Sequence, residues 1–239
     1  MHAAVIGTGG WRPQGVGRAA YLEHVFGVGR IVEDALNDTG ELIGDEPYQA
    51  DICLAAVGHD LYAHTSATPD EIREDFGPRV DSLIEGLTRR QGDPTRAQHL
   101  TELGDAVEAL RLIKLAALID NITSCAHRLD ELGAKWIRRT FKPIAGQVLL
   151  NATVVRYEDL SDTAALMLEW LRFAYKRMEA NLDIFDELAA REPARPATAP
   201  AKTARHLDPE IGNAVLAQMK EREWREALLV RAAYLFPRR

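Results

Sequence analysis

The chain has 239 residues, 46% hydrophobic and 27% charged, a balance that excludes an intrinsically disordered polymer and allows one or two domains with a sizeable core. Its net charge of −7 and pI near 5.5 argue against broad binding to DNA, RNA or an anionic membrane. No apolar run approaches the ~18 residues of a membrane span, and the opening MHAAVIGTGGWRPQG lacks the basic-then-apolar order of a signal peptide.

Residues 1–14 read as a flexible segment. AVIGTGGW resembles a dinucleotide fingerprint only briefly, because Arg12 takes the place of the third glycine and Pro13 follows at once. Helical periodicity then predicts helices over 15–38, 47–64, 69–90, 94–127, 129–150, 161–190 and 209–236. The first carries His24 and the second His59-Asp60. The third opens on Thr68-Pro69-Asp70-Glu71, a capping box with proline at the first helical position, and continues in a stripe of Ile72, Phe76, Val80, Leu83, Ile84 and Leu87. Asp93-Pro94 opens the fourth, whose stripe is Leu103, Val107, Leu110, Ile113 and Leu118. In the fifth, Trp136 to Arg139 read as an amphipathic packing face, while Val148–Arg156 fits a short strand as well as a helix end. Trp170, Phe173 and Tyr175 of the sixth read as core beside a solvated edge. Arg191–Arg205 is rich in proline and alanine without apolar periodicity, the mark of a linker. Asp208-Pro209 then opens a last helix carrying Ile211, Val215, Met219, Trp224, Leu228, Leu229 and Tyr234. Such a helix is marginal in water on its own, so it is expected to dock on the body or on another subunit, the second giving a homo-oligomer.

The expected fold is all-α: a flexible segment at 1–14, a helical domain at 15–150, an extension at 151–190 packed on it, a linker at 191–206 and an amphipathic helix at 207–239. Cys53 and Cys125 both sit among apolar residues, which favours a reduced, cytoplasmic protein over a disulfide scaffold. His99 and His127 lie on helices without ligand-spaced partners and read as surface or boundary residues.

Three places share the chemistry of a helical-bundle metal site, in which ligands from several helices converge on one point. They are His24 in YLEHVFGV, His59-Asp60 in LAAVGHDLYAH and Asp120-Asn121 in LIKLAALIDNITS. Imidazole nitrogen with carboxylate oxygen suits Mn²⁺, Fe²⁺ or Zn²⁺ better than Ca²⁺.

The stretch from Ala55 to Thr88 resembles the HD domain of the (p)ppGpp, or alarmone, hydrolases, within the HD superfamily of metal-dependent phosphohydrolases. The apolar run LAAVGHD, the turn TSATPDE and the helix IREDFGPRVDSLIEGLT carry the likeness, with Phe76-Gly77, Val80 and Gly86-Leu87-Thr88 in register. Upstream, His24 to Val28 is similar to that family's first metal-histidine segment. Downstream, Ile113-Lys114-Leu115-Ala116 is similar to its lead-in, and Asn121 falls on its asparagine. The resemblance spans residues 15 to 130. It implies an HD-type helical bundle with a C-terminal helical extension, a divalent cation (Mn²⁺ first), and hydrolysis of a phosphate or pyrophosphate ester on a nucleotide. It further implies His24, His59 and Asp60 as metal ligands, Asn121 and Ser124 as residues lining the nucleotide pocket, and Lys114 as either a phosphate contact or a support for the fold.

The sequence departs from that family where the chemistry lies. Ala63 and His64 stand in place of a Glu-Asp pair, Ala117 in place of the fourth metal ligand, and Gly15-Val16 in place of a base-stacking arginine-lysine pair. Asp120 lies one turn beyond Ala117, about 4.5 Å along the axis, and its side chain leans back over it, so Asp120 is the substitute fourth ligand. His64, four residues after Asp60, is a substitute proton-transfer group beside Asp60 or a further ligand. The alternative is a catalytically inactive HD-fold protein that binds a nucleotide or a protein partner through the same pocket or the last helix.

Overall fold

The computed structural model describes residues 18–88, 107–127, 129–154 and 160–191. Within them the fold is all-α, as expected, with no strand: α1 Arg18–Thr39, α2 Glu46–Gly58, α3 Leu61–His64, α4 Pro69–Phe76, α5 Pro78–Leu87, α6 Glu108–His127, α7 Leu129–Leu132, α8 Ala134–Val154 and α9 Asp162–Arg191. The expected segment at 1–14, Asp93-Pro94, His99, Leu103, the linker and the last helix lie outside the described residues. Among those described, no helix is long and apolar enough to cross a membrane.

Three helices expected to be continuous are broken, each at a residue that cannot stay helical or is pulled out of line. The expected 69–90 divides at Gly77, whose φ of +93° is reserved for glycine and which is followed by Pro78. The expected 129–150 divides at Gly133, with φ +82°. The expected 47–64 stops at Gly58, and His59-Asp60 form the joint before the single turn of α3. Elsewhere the local chemistry acts as read. The Thr68 hydroxyl accepts from Glu71 N (3.3 Å) while the Glu71 carboxylate accepts from Thr68 N (2.9 Å), closing the capping box. Of Val148–Arg156, the residues through Val154 are helical and not a strand, since α8 runs that far, and the last two lie outside the described residues.

The core centres on α6. Every residue from Leu115 to Ile122 is buried, so this helix is apolar almost all round and must be covered on all sides. α1 and α9 lie along it, with Val25, Val28 and Val32 from one and Met167, Leu171 and Met178 from the other fully or almost fully buried. Each such side chain contributes about 1.5–3 kcal/mol of burial relative to exposure. The expected stripe over α4 and α5 is buried throughout, and Ile137 of the Trp136–Arg139 face is at 0% exposure. Two expected core positions are not: Val107 and Phe173 are exposed. Val107 precedes the first turn of α6, and Phe173 sits on the flank of α9 beyond its core-facing row, beside a hollow of about 250 Å³ lined also by Trp170 and Arg177.

The ends of the covering helices are tied down by polar groups that would otherwise be orphaned. Glu41, in the turn after α1, accepts from both the N and the Oγ1 of Thr163 (2.8 Å each), fixing the start of α9. Asn181 of α9 donates to the carbonyl of Ala126 (2.7 Å), near the end of α6.

α1 and α2 approach closely at Gly29, where an added Cβ would meet Cγ2 of Val57 at 2.6 Å. Val57 is β-branched and stiff, so it cannot swing away cheaply. Gly29→Ala is therefore expected to destabilise by about 1 kcal/mol, overpacking of about 1–3 kcal/mol exceeding the helix-propensity gain of about 1 kcal/mol. In a Val57→Ala background the same change should instead stabilise, and urea midpoints of the four variants check the reversal. This contact also sets the spacing of the two helices that carry His24 and lead to His59.

Candidate metal centre

His24 faces inward from α1 at 0% exposure, and Nδ1 lies 2.8 Å from Oδ2 of Asp120 on α6, itself at 0%. With Asp120 ionised, Nδ1 donates, and the free lone pair of the imidazole is at Nε2. His59 closes α2, and its Nδ1 lies 2.8 Å from the carbonyl oxygen of Ala56. A carbonyl only accepts, so Nδ1 carries the proton and the lone pair again falls on Nε2. The two rings meet edge to face with centroids 5.2 Å apart.

Asp60 is the N-cap residue of α3, a position where aspartate ordinarily turns its carboxylate onto the helix N–H groups. Here the side chain makes no capping bond. Its Oδ2 lies 3.4 Å from Nε2 of His59 instead. One ligand atom from each of His24, His59 and Asp60 lies within 4.8 Å of the others, and all three residues are buried. The break between α2 and α3 produces this arrangement, because it turns two consecutive residues toward the same point.

Nε2 of His24 and Nε2 of His59 have no hydrogen-bond partner among the described residues, and neither do Oδ1 of Asp120, Oδ1 of Asn121 and Oγ of Ser124. Burying two acceptor nitrogens without a partner is costly, and a divalent cation satisfies both at once. The donor set of two imidazoles and a carboxylate fits such an ion.

Of the remaining expected site residues, Asp120 is placed differently from a simple replacement ligand. It stands behind His24, bonded to Nδ1, and is not part of the close trio. Asn121 and Ser124 are both buried on α6. Lys114 donates to the carbonyl of Leu87 (2.7 Å), closing the last turn of α5. His64 ends α3, but its side chain lies outside the described residues; Ala63 is exposed and Ala117 is packed in the core.

Two contributors lie outside the residues expected from the sequence. The Ala56 carbonyl, a backbone group, sets the His59 tautomer. Asp81 of α5, buried at 3% exposure, accepts from the hydroxyl of Tyr62 on α3 and from Arg73 of α4 (2.7 Å). The signal for Asp81 was present, since a carboxylate sits next to Val80 within an apolar stripe.

Burial pushes His59 down to about 4 from 6.5, with Asp60 pulling the other way. Burial raises Asp120, opposed by its bond to His24. The folded protein thus holds His59 neutral while the unfolded chain takes up a proton there first. Between pH 6.5 and pH 4 the unfolded state binds more protons at this site, so stability falls on acidification, by on the order of 3 kcal/mol from His59. Asp120 acts in the opposite sense, its contribution being lost as pH rises through its raised value. Metal-free wild type should lose more of its urea midpoint than His59→Gln over that window. Parallel losses would show that His59 is not held neutral.

Residues 15–142, just over half of the chain, match the sequence model of a family described as HD domain. No curated protein and no solved structure matches the chain.

Proposed function

We propose, because this chain belongs to the HD-domain family, that it is a divalent-metal-dependent phosphohydrolase acting on a phosphate or pyrophosphate ester, with a nucleotide as the substrate class and Mn²⁺ as the first metal to test. The observation that carries this reading is the pair of buried Nε2 atoms of His24 and His59, without a hydrogen-bond partner among the described residues, beside the Asp60 carboxylate. His24, His59 and Asp60 would hold the ion. A bound divalent cation supplies Lewis-acid activation of water and of a phosphoryl oxygen.

The chain's own residues have separate tasks. Asp120 fixes the ring of His24 from behind, the arrangement by which carboxylates orient and strengthen metal-binding imidazoles. The Ala56 carbonyl does the same for His59. Asn121 and Ser124 contribute unsatisfied buried oxygens on the helix that carries Asp120, and these suit N–H or O–H donors on the substrate. His64, as the residue in place of a lost carboxylate, is the proton-transfer group in this reading, alongside Asp60. The resemblance over residues 55–88 makes (p)ppGpp one member of the substrate class to test.

A second reading is a nucleotide- or protein-binding protein without turnover. Ala63 and Ala117 favour it, since they supply no acid where the alarmone hydrolases have one. Phosphate and pyrophosphate release across a nucleotide panel that includes ppGpp, with Mn²⁺ supplied, separates the two. Release from at least one member is expected. Metal uptake with no release from any member, and tight nucleotide binding, would move the assignment to the second reading.

A further inference from the structure

α3 is a single turn of four residues, Leu61 to His64, too short to hold itself together in water. It begins at the residue after Asp60, so its attitude fixes where the Asp60 carboxylate points. Leu61 anchors one side by burial, at 1% exposure. Thr65 folds back on the turn through its N and its hydroxyl, both donating to the carbonyl of Leu61 (2.9 and 2.7 Å). A further tie crosses to another element: the Tyr62 hydroxyl donates to Oδ1 of Asp81, buried on α5. Oδ2 of the same carboxylate accepts from Arg73 at 2.7 Å, so both oxygens of Asp81 are engaged and the acceptor is held in place.

We propose that Asp81 is a positioning residue for the metal centre, acting through Tyr62 to hold the turn that follows Asp60. The proposal rests on the metal-centre reading above. Neither Asp81 nor Tyr62 belongs to the trio of His24, His59 and Asp60. They restrict the joint between α2 and α3 to the attitude in which Asp60 leaves its capping role and faces His59. Carboxylate and backbone groups already hold the two histidines through their Nδ1 atoms, and the Tyr62–Asp81 tie supplies the corresponding restraint for the third ligand.

The test is metal binding by the full chain, read by Mn²⁺ titration and by the visible bands of the Co²⁺-loaded protein. Wild type, Tyr62→Phe and Arg73→Gln are compared, with urea midpoints of the metal-free proteins alongside. Tyr62→Phe removes one hydroxyl, keeps the ring, and cuts the link to the joint. It is expected to weaken Mn²⁺ binding about tenfold, as loss of an outer partner does, and to change the intensity of the Co²⁺ bands. Arg73→Gln removes the other partner of Asp81 but leaves that link, so binding should stay within about twofold of wild type by the same reasoning, whatever its effect on the midpoint. Wild-type binding and spectrum in Tyr62→Phe overturn the proposal while leaving the metal centre standing. Weakening in both variants in proportion to lost stability overturns it also, as ordinary structural damage. A wild type that takes up neither metal removes the metal-centre reading, and this proposal with it.

Discussion

Replacing His59 by alanine is expected to abolish both metal uptake and phosphate release, with the helical content of the protein retained. The side chain supplies one of two buried Nε2 atoms that have no hydrogen-bond partner among the described residues. Outer partners of metal ligands cost about 10–100-fold when removed, so loss of a ligand itself should exceed that range in affinity. Stability and function should separate here. Burial holds His59 neutral in the metal-free fold, so alanine removes a desolvated imidazole as well as its bond to Ala56. Circular dichroism should show an intact bundle while Mn²⁺-dependent turnover falls below detection. Turnover within tenfold of wild type would place the chemistry elsewhere in the chain.

The second large effect concerns Asp120, where two roles predict different patterns. If its task is to fix His24, a neutral acceptor serves part of it. Asp120→Asn should then weaken Mn²⁺ binding by less than about tenfold, since an amide oxygen still accepts from Nδ1 of His24, while Asp120→Ala should weaken it about 10–100-fold. Alanine also leaves a buried N–H unpaired, at about 1–3 kcal/mol of stability. If Asp120 were instead a direct ligand, both substitutions should cost the same large factor, because a neutral amide is a far poorer partner for a hard cation than a carboxylate. Titration of the two variants side by side decides between the roles.

Much of the site was legible in the sequence, and the part that was not has a physical reason. His24 and His59-Asp60 could be picked out because their neighbours are apolar at helical spacing, which forces the polar side chain inward or to an edge. The capping box at Thr68 and the stripe from Ile72 to Leu87 depend on residues close in sequence, and the structure has both. The breaks were harder. Gly58 followed by His59-Asp60 is a local stop signal, but Val57 and Leu61 keep helical spacing across it, which conceals the end of the helix at Gly58. At Gly77 the signal did exist, a glycine before proline, but the continuing stripe on both sides concealed it. The partnership of His24 with Asp120 spans 96 residues and depends on how α1 crosses α6, which no local pattern encodes. Asp81 is hidden for a related reason: a carboxylate in a buried row is at odds with the apolar pattern, and only the fold brings Tyr62 and Arg73 to satisfy it.

The most direct measurement is a titration of metal-free protein with Mn²⁺, followed by electron paramagnetic resonance, for wild type and His59→Ala. Wild type should take up one ion per chain with the signal of a site-bound cation, and His59→Ala should show free Mn²⁺ only. Equal uptake by both proteins, or none by wild type with the bundle intact, would contradict a metal centre built from His24, His59 and Asp60.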